Sequence, residues 1–102
     1  MIHVIAVFEL RPGQRQSFLT AFEEIVSTVR AEEGCIEYGA AVDLATELPV
    51  QAPVRPDVVT VLEKWQSVDH LTRHLAQPHL QAFLPQAQAL SVNITVSILE
   101  PV

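Results

Sequence analysis

Basic residues are scarce in this chain: six Lys and Arg stand against twelve Asp and Glu, for a formal net charge of −6. That balance excludes the basic stripe that phosphate backbones select, so no nucleic-acid partner is expected. An anionic membrane surface is disfavoured on the same ground. Cysteine is rarer still. Cys35 stands alone, so an internal disulfide is impossible, and the chain reads as a soluble protein of a reducing compartment, the cytoplasm. No run of about 18 uncharged, mostly apolar residues occurs, which excludes a spanning helix. The opening MIHVIAVFELRP lacks the basic start and small-residue cleavage site of a signal peptide. Gly-rich phosphate loop, nucleophile elbow, CxxC, HExxH and calcium loop are all missing. Any chemistry has to come from dispersed side chains.

What is present suits one compact domain, residues 1–102, of which 49 % are hydrophobic. A chain of this size buries modest surface per residue, so dimerisation would help it. Residues 2–9, IHVIAVFE, read as a strand with Ile2, Val4, Ala6 and Phe8 on one side and His3, Ile5, Val7 and Glu9 on the other. Both sides are largely apolar, so something should cover each. Arg11-Pro12-Gly13 makes a turn, and helical spacing follows through Phe18, Phe22, Ile25, Val26 and Val29, with Gly34 as a left-handed stop. Glu32 and Glu33 in its last turn oppose the helix dipole, and no local reason accounts for them.

A second strand fits 35–43, with a bulge or close approach at Gly39. Residues 44–57 carry three of the seven prolines and read as a long, semi-rigid surface loop. VVTVLEKW (58–65) is a strong third strand. Ser67 caps a short helix from Val68 to Ala76, and Pro78 opens another through Leu90, kinked or interrupted after Leu84 by Pro85. Residues 91–100 close as a fourth strand with Val92, Ile94, Val96 and Ile98 on one side. The order β-α-β-β-α-α-β is the α+β, ferredoxin-like split βαβ, with a four-stranded antiparallel sheet and helices on one face. The apolar second face asks for a partner, and a face-to-face homodimer supplies it.

Three of the four histidines, and the only tryptophan, fall within EKWQSVDHLTRHLAQPHL (63–80). At about 100° per residue, His70 lies roughly 120° from its helix's apolar stripe and should face water, whereas His74 lies roughly 80° off it. His79 sits about 80° from the stripe of the following helix. His74 and His79 therefore flank the Gln77-Pro78 corner, either looking into a cavity or hydrogen-bonding the break itself. A zinc site is not expected, because the imidazoles diverge, no thiolate is near, and further ligands would have to be Glu63 or Asp69. Glu63 and Trp65 share a strand face with Val61, which makes either a wall that grips an aromatic ligand or a core Trp with a Glu at the rim. A buried Glu63 would have a raised pKa and could act as a base. Tyr38 either contacts a ligand or sits at the dimer seam, and Cys35, on the opposite face of its strand, reads as an inert small hydrophobe. The role of His3 stays open.

The opening strand followed by Pro12-Gly13, then EEGCIEY (32–38), then EKW (63–65) and an SxxxLxxHLxxxHLxxF run over 67–83 resemble the antibiotic biosynthesis monooxygenase (ABM) domain family along nearly the whole chain. The resemblance implies a ferredoxin-like fold that pairs sheet to sheet into a dimeric α+β barrel, with a pocket between sheet and helices. It implies no cofactor: some members oxidise polycyclic phenols or quinols with O2, the substrate's own anion serving as reductant. Carried onto this sequence, it marks His74 and Trp65 as catalytic candidates and Glu63, His79 and Tyr38 as substrate-binding ones. Related members degrade haem with a first-strand Asn, and this chain has none there. The expected partners are thus a small aromatic substrate and O2. The rival readings are a non-catalytic dimeric module for an aromatic metabolite and a haem-binding or haem-degrading protein.

Overall fold

The computed structural model describes residues 1–102. Its elements are β1 (Ile2–Leu10), α1 (Arg15–Arg30), β2 (Cys35–Ala41), β3 (Val58–Trp65), α2 (Val68–Leu75), α3 (Pro78–Leu90) and β4 (Ser91–Leu99). The sheet is antiparallel in the order β2-β3-β1-β4, which is the ferredoxin-like arrangement the element order requires. β1 and β3 occupy its centre. Their alternation decides the core: Val4, Ala6, Phe8 and Leu10 from β1 meet Val59, Val61 and Trp65 from β3 on the helix-covered face.

The four phenylalanines build the other half of that core. Phe8 and Phe18 rings lie 4.7 Å apart, and Phe83 meets Phe18 edge-on at 5.7 Å. Phe22 continues the cluster by stacking on Tyr38 at 5.2 Å. Offset and edge-on pairs suit the ring quadrupoles, each worth about 0.5–1.5 kcal/mol beyond the area buried.

α1 ends at Arg30, two residues before the glutamates assigned to its last turn. Glu32 lies instead in the turn to β2, fixed by its own N–H to Val29 O at 2.9 Å and by Cys35 N–H to Glu32 O at 3.2 Å. Gly34 closes that turn at φ +82°, the left-handed region an L side chain avoids. A second reason demands glycine there: a Cβ would sit 2.2 Å from His70 Cδ2. His70 is accordingly not the solvent-facing residue its helical angle suggests. It packs over Gly34, with Nδ1 2.7 Å from Ser67 Oγ, the hydroxyl that also caps α2 by accepting from His70 N–H.

Three local expectations change. The bulge in β2 falls between Cys35 and Glu37, not at Gly39. The extra residue, Ile36, swings outward and resets the alternation, so Cys35 and Tyr38 share the inner face instead of lying on opposite ones. α3 runs without a break through Pro85, because proline removes one backbone donor while Leu80, Phe83 and Ala87 anchor the turns on either side. β4 is an edge strand beyond the helices' cover, so Val96 and Ile98 remain exposed although they share the inner side with Ile94. Val92 does not join them, because the register shift at the start of β4 pairs Ser91 with Leu10 and leaves Val92 as the extra, outward residue.

Residues 42–57 form no helix or strand, as their prolines require. The base of this arm is clasped by Arg55, whose guanidinium donates to both Asp43 carboxylate oxygens at 2.9 and 3.0 Å and whose N–H donates to one of them. The Arg55 hydrogen bonds hold the Asp43 carboxyl down to about 2. On the sheet's outer face Ile5 and Val7 are half-buried, and Leu62 and Leu99 are 42 % and 44 % exposed. No helix of the chain is long and apolar enough to cross a membrane.

Candidate active site

A cavity of about 260 Å³ opens between the sheet's inner face and helices α2 and α3. Val4, Ala6, Phe8 and Val61 floor it, Leu71, Leu80 and Phe83 roof it, and Ile94, Val96 and Ile98 of β4 edge its open side. The lining is almost wholly apolar. Its polar groups are Tyr38, Glu63, His74 and Gln88, of which the first three gather near one end of the sheet.

His74 is 2 % exposed, which its boundary angle on α2 understates. The tertiary partner responsible is Glu32, whose Oε2 lies 2.9 Å from His74 Nδ1. The same oxygen lies 2.9 Å from His79 Nε2. One carboxylate oxygen thus receives two imidazoles from helices α2 and α3. With Nδ1 donating to Glu32, His74 is held in the tautomer whose Nε2 carries the lone pair. Burial lowers the pKa of His74, against the opposing pull of Glu32. A neutral, oriented imidazole at an apolar wall is a competent proton acceptor.

Glu63 is the other buried titratable group. Burial raises its pKa from 4.5 to about 7; the hydrogen bond from Trp65 Nε1–H to its Oε1, at 2.9 Å, works the other way, and Glu32 adds to the rise. A carboxyl so placed can give or take a proton near neutrality. Tyr38 stands beside it in the sheet register, with its phenol driven far above the ordinary range by burial and then by Glu63 and Glu32. It stays a neutral hydroxyl. Burial, Glu32 and Glu63 likewise raise the Cys35 thiol, which keeps it protonated and unreactive.

Two candidates stand behind the cavity wall rather than on it. Trp65 is fully buried and packs its ring against His74 with centroids 4.6 Å apart, so it backs His74 and holds Glu63 and does not face the cavity. His79 also lies off the lining and touches Glu32 from the solvent side. The residue the sequence reading missed is Glu32 itself. Its signal was visible as an acidic side chain with no local purpose near a helix end, but the partner lies 42 residues away.

Residues 1–86 match the family model for antibiotic biosynthesis monooxygenase. Among related sequences, "Probable quinol monooxygenase YgiN" of Escherichia coli K12 is 39 % identical over 103 residues, covering 99 % of this chain and 98 % of that one. The fold recurs in a conserved protein from Methanosarcina mazei Go1, at TM-score 0.85 and 24 % identity over 99 % of this chain and 92 % of that one. It recurs in Rv0793 from Mycobacterium tuberculosis, at TM-score 0.83 and 24 % identity over 99 % and 94 %. The extent of the family match and the near end-to-end identity with YgiN place this chain in the antibiotic biosynthesis monooxygenase family.

Proposed function

We propose that residues 1–102 form a single domain that acts as a cofactor-independent monooxygenase on a phenolic or quinol-like aromatic, as a homodimer paired through the outer sheet faces. One observation carries the reading: His74, its Nδ1 held by Glu32, lines a mostly apolar cavity together with Glu63 and Tyr38. The family and the name of the YgiN relative point the same way. The cavity, about 260 Å³, lies just below the roughly 300–1,000 Å³ usual for ligand pockets, which suits a compact aromatic.

His74 Nε2 takes the acidic proton of the substrate and leaves an electron-rich anion in a low-dielectric pocket. The anion supplies the electrons: its carbon, still bearing one hydrogen, bonds to one oxygen of O2. That last C–H proton is lost as the O–O bond breaks, and the departing oxygen with the two substrate protons makes one water beside the new carbonyl. One oxygen atom enters the product and the other leaves as water. Glu63 serves as the acid that protonates the departing oxygen, Tyr38 donates to the substrate oxygen, and Trp65 positions both Glu63 and His74. Exclusion of water keeps the anion reactive toward O2.

The test is O2 uptake with a panel of quinols and anthrones. Wild type should consume O2 above the uncatalysed rate, and His74→Ala should lose on the order of 10²–10⁴-fold of that excess. Equal background rates in both would overturn the oxygenase reading, and saturable ligand binding without product would mark a binding module in its place.

A further inference from the structure

We propose that Glu32 and His79 make His74 one half of a proton-exchange pair, in which the proton His74 accepts inside the cavity is matched by release of one at Nδ1 of His79 toward solvent. The assignment of His74 as the cavity base rests on the function proposed above; the pairing itself rests on geometry. Both imidazoles reach the same oxygen, Glu32 Oε2, at 2.9 Å. Side-chain exposure rises along the series, from 2 % at His74 through 10 % at Glu32 to 20 % at His79. The trio therefore runs from the cavity wall to the surface.

A single carboxylate oxygen compensates one positive imidazolium well and two poorly, because like charges held this close repel strongly in a partly buried setting. Charge on His74 thus disfavours charge on His79, and the reverse. In the state where His79 carries the imidazolium charge opposite Glu32, bonding of the substrate proton by Nε2 of His74 drives the Nδ1 proton of His79 to water while its Nε2–H stays on Glu32. One proton enters the trio, one leaves, and its charge is unchanged. The step needs no oxidant and moves no heavy atom. Glu32 and His79 are positioning residues here, since neither lines the cavity.

Other groups set the field that His74 feels. Glu63 and Tyr38 face it from β3 and β2, Cys35 lies beside them, and Arg73 precedes it on α2. Only His79 shares its carboxylate oxygen. The coupling is thus specific enough to test by substitution.

The experiment is titration of the His74 ring by NMR in the full chain, for wild type, His79→Gln and Glu32→Gln. Gln at 79 keeps an N–H donor for Glu32 but cannot carry the charge. In His79→Gln the His74 midpoint should rise by on the order of one pH unit, and in Glu32→Gln it should fall. With turnover as a second readout, the acid limb of the kcat/KM profile should move up in His79→Gln while KM stays near wild type. An unchanged His74 midpoint in His79→Gln overturns the pair, even where His74→Ala abolishes turnover. A shifted midpoint in a protein that oxidises no quinol leaves the pair standing and removes the oxygenase reading. Should His79→Gln fail to fold, an unchanged midpoint in Glu32→Gln overturns the pair on its own.

Discussion

Replacing Glu63 by Gln should change the pH dependence of stability. In the folded protein the Glu63 carboxyl titrates at about 7 against an ordinary value of 4.5, because burial disfavours the anion more than the Trp65 hydrogen bond restores it. The folded state then keeps a proton that the unfolded chain has already released. Below pH 4.5 both states are protonated and nothing is lost. Between 4.5 and 7 stability declines as pH rises, and above 7 the loss is complete. The interval between those two values corresponds to roughly 3 kcal/mol. Gln keeps the shape and a carbonyl acceptor for Trp65 Nε1–H, but its amide N–H groups need partners, at a cost of about 1–3 kcal/mol that does not vary with pH. The informative quantity is therefore the stability difference between variant and wild type at two pH values. It should move by roughly 3 kcal/mol in favour of Glu63→Gln between pH 4 and pH 8. Urea unfolding at fixed protein concentration reads this as a relative midpoint shift of about 1–3 M. A difference that stays flat over that range would refute a buried, protonated Glu63.

Pro85 is exposed in mid-helix, so Pro85→Ala restores a backbone donor without disturbing packing and should stabilise the protein by about 1–3 kcal/mol in thermal or urea unfolding. No gain would mean that α3 already bends to accommodate the ring. Gly34→Ala should destabilise by at least about 2 kcal/mol, from the left-handed backbone and from collision with His70. Survival at wild-type stability would show that the His70 ring moves aside freely. Asp43→Asn breaks the bidentate clasp on Arg55, and limited proteolysis should then cut residues 44–54 faster while the sheet and helices resist. Equal cutting rates would show that the prolines alone hold the arm.

The fold was legible because its signals are local. β1 and β3 read as apolar strands, Ser67 and Pro78 marked helix starts, and the order of elements left few topologies open. Features set by one residue meeting another far along the chain were harder to read. His70 reads as solvent-facing from its angle on α2, yet Gly34 leaves room for it to pack. Gly39 suggests a bulge or a close approach because glycine tolerates either. The bulge falls at β-branched Ile36, which turns outward, while the Arg30 guanidinium lies over Gly39, 3.6 Å from where a Cβ would sit. At the site, Tyr38, Glu63 and His74 could be named from helix angle, strand parity and family pattern, and all three line the cavity. Trp65 shares their strand face but lies a layer deeper, which parity cannot distinguish. Glu32 could not be assigned at all, because its purpose exists only once α2 and α3 have docked beside the turn that carries it.

The displaced bulge also has a meaning for how the site is inherited. Two inward side chains on a regular strand are separated by an even number of steps, but Cys35 and Tyr38 are three apart. Ile36 supplies the odd step. The tyrosine hydroxyl therefore owes its place at the cavity to a counting rule in the backbone rather than to any contact of its own. Straightening the strand with all its residues kept would leave the odd step uncompensated, turn either the thiol or the phenol to the opposite face, and alter the pocket without replacing a residue that lines it, whereas deleting Ile36 would keep both inward on a regular strand.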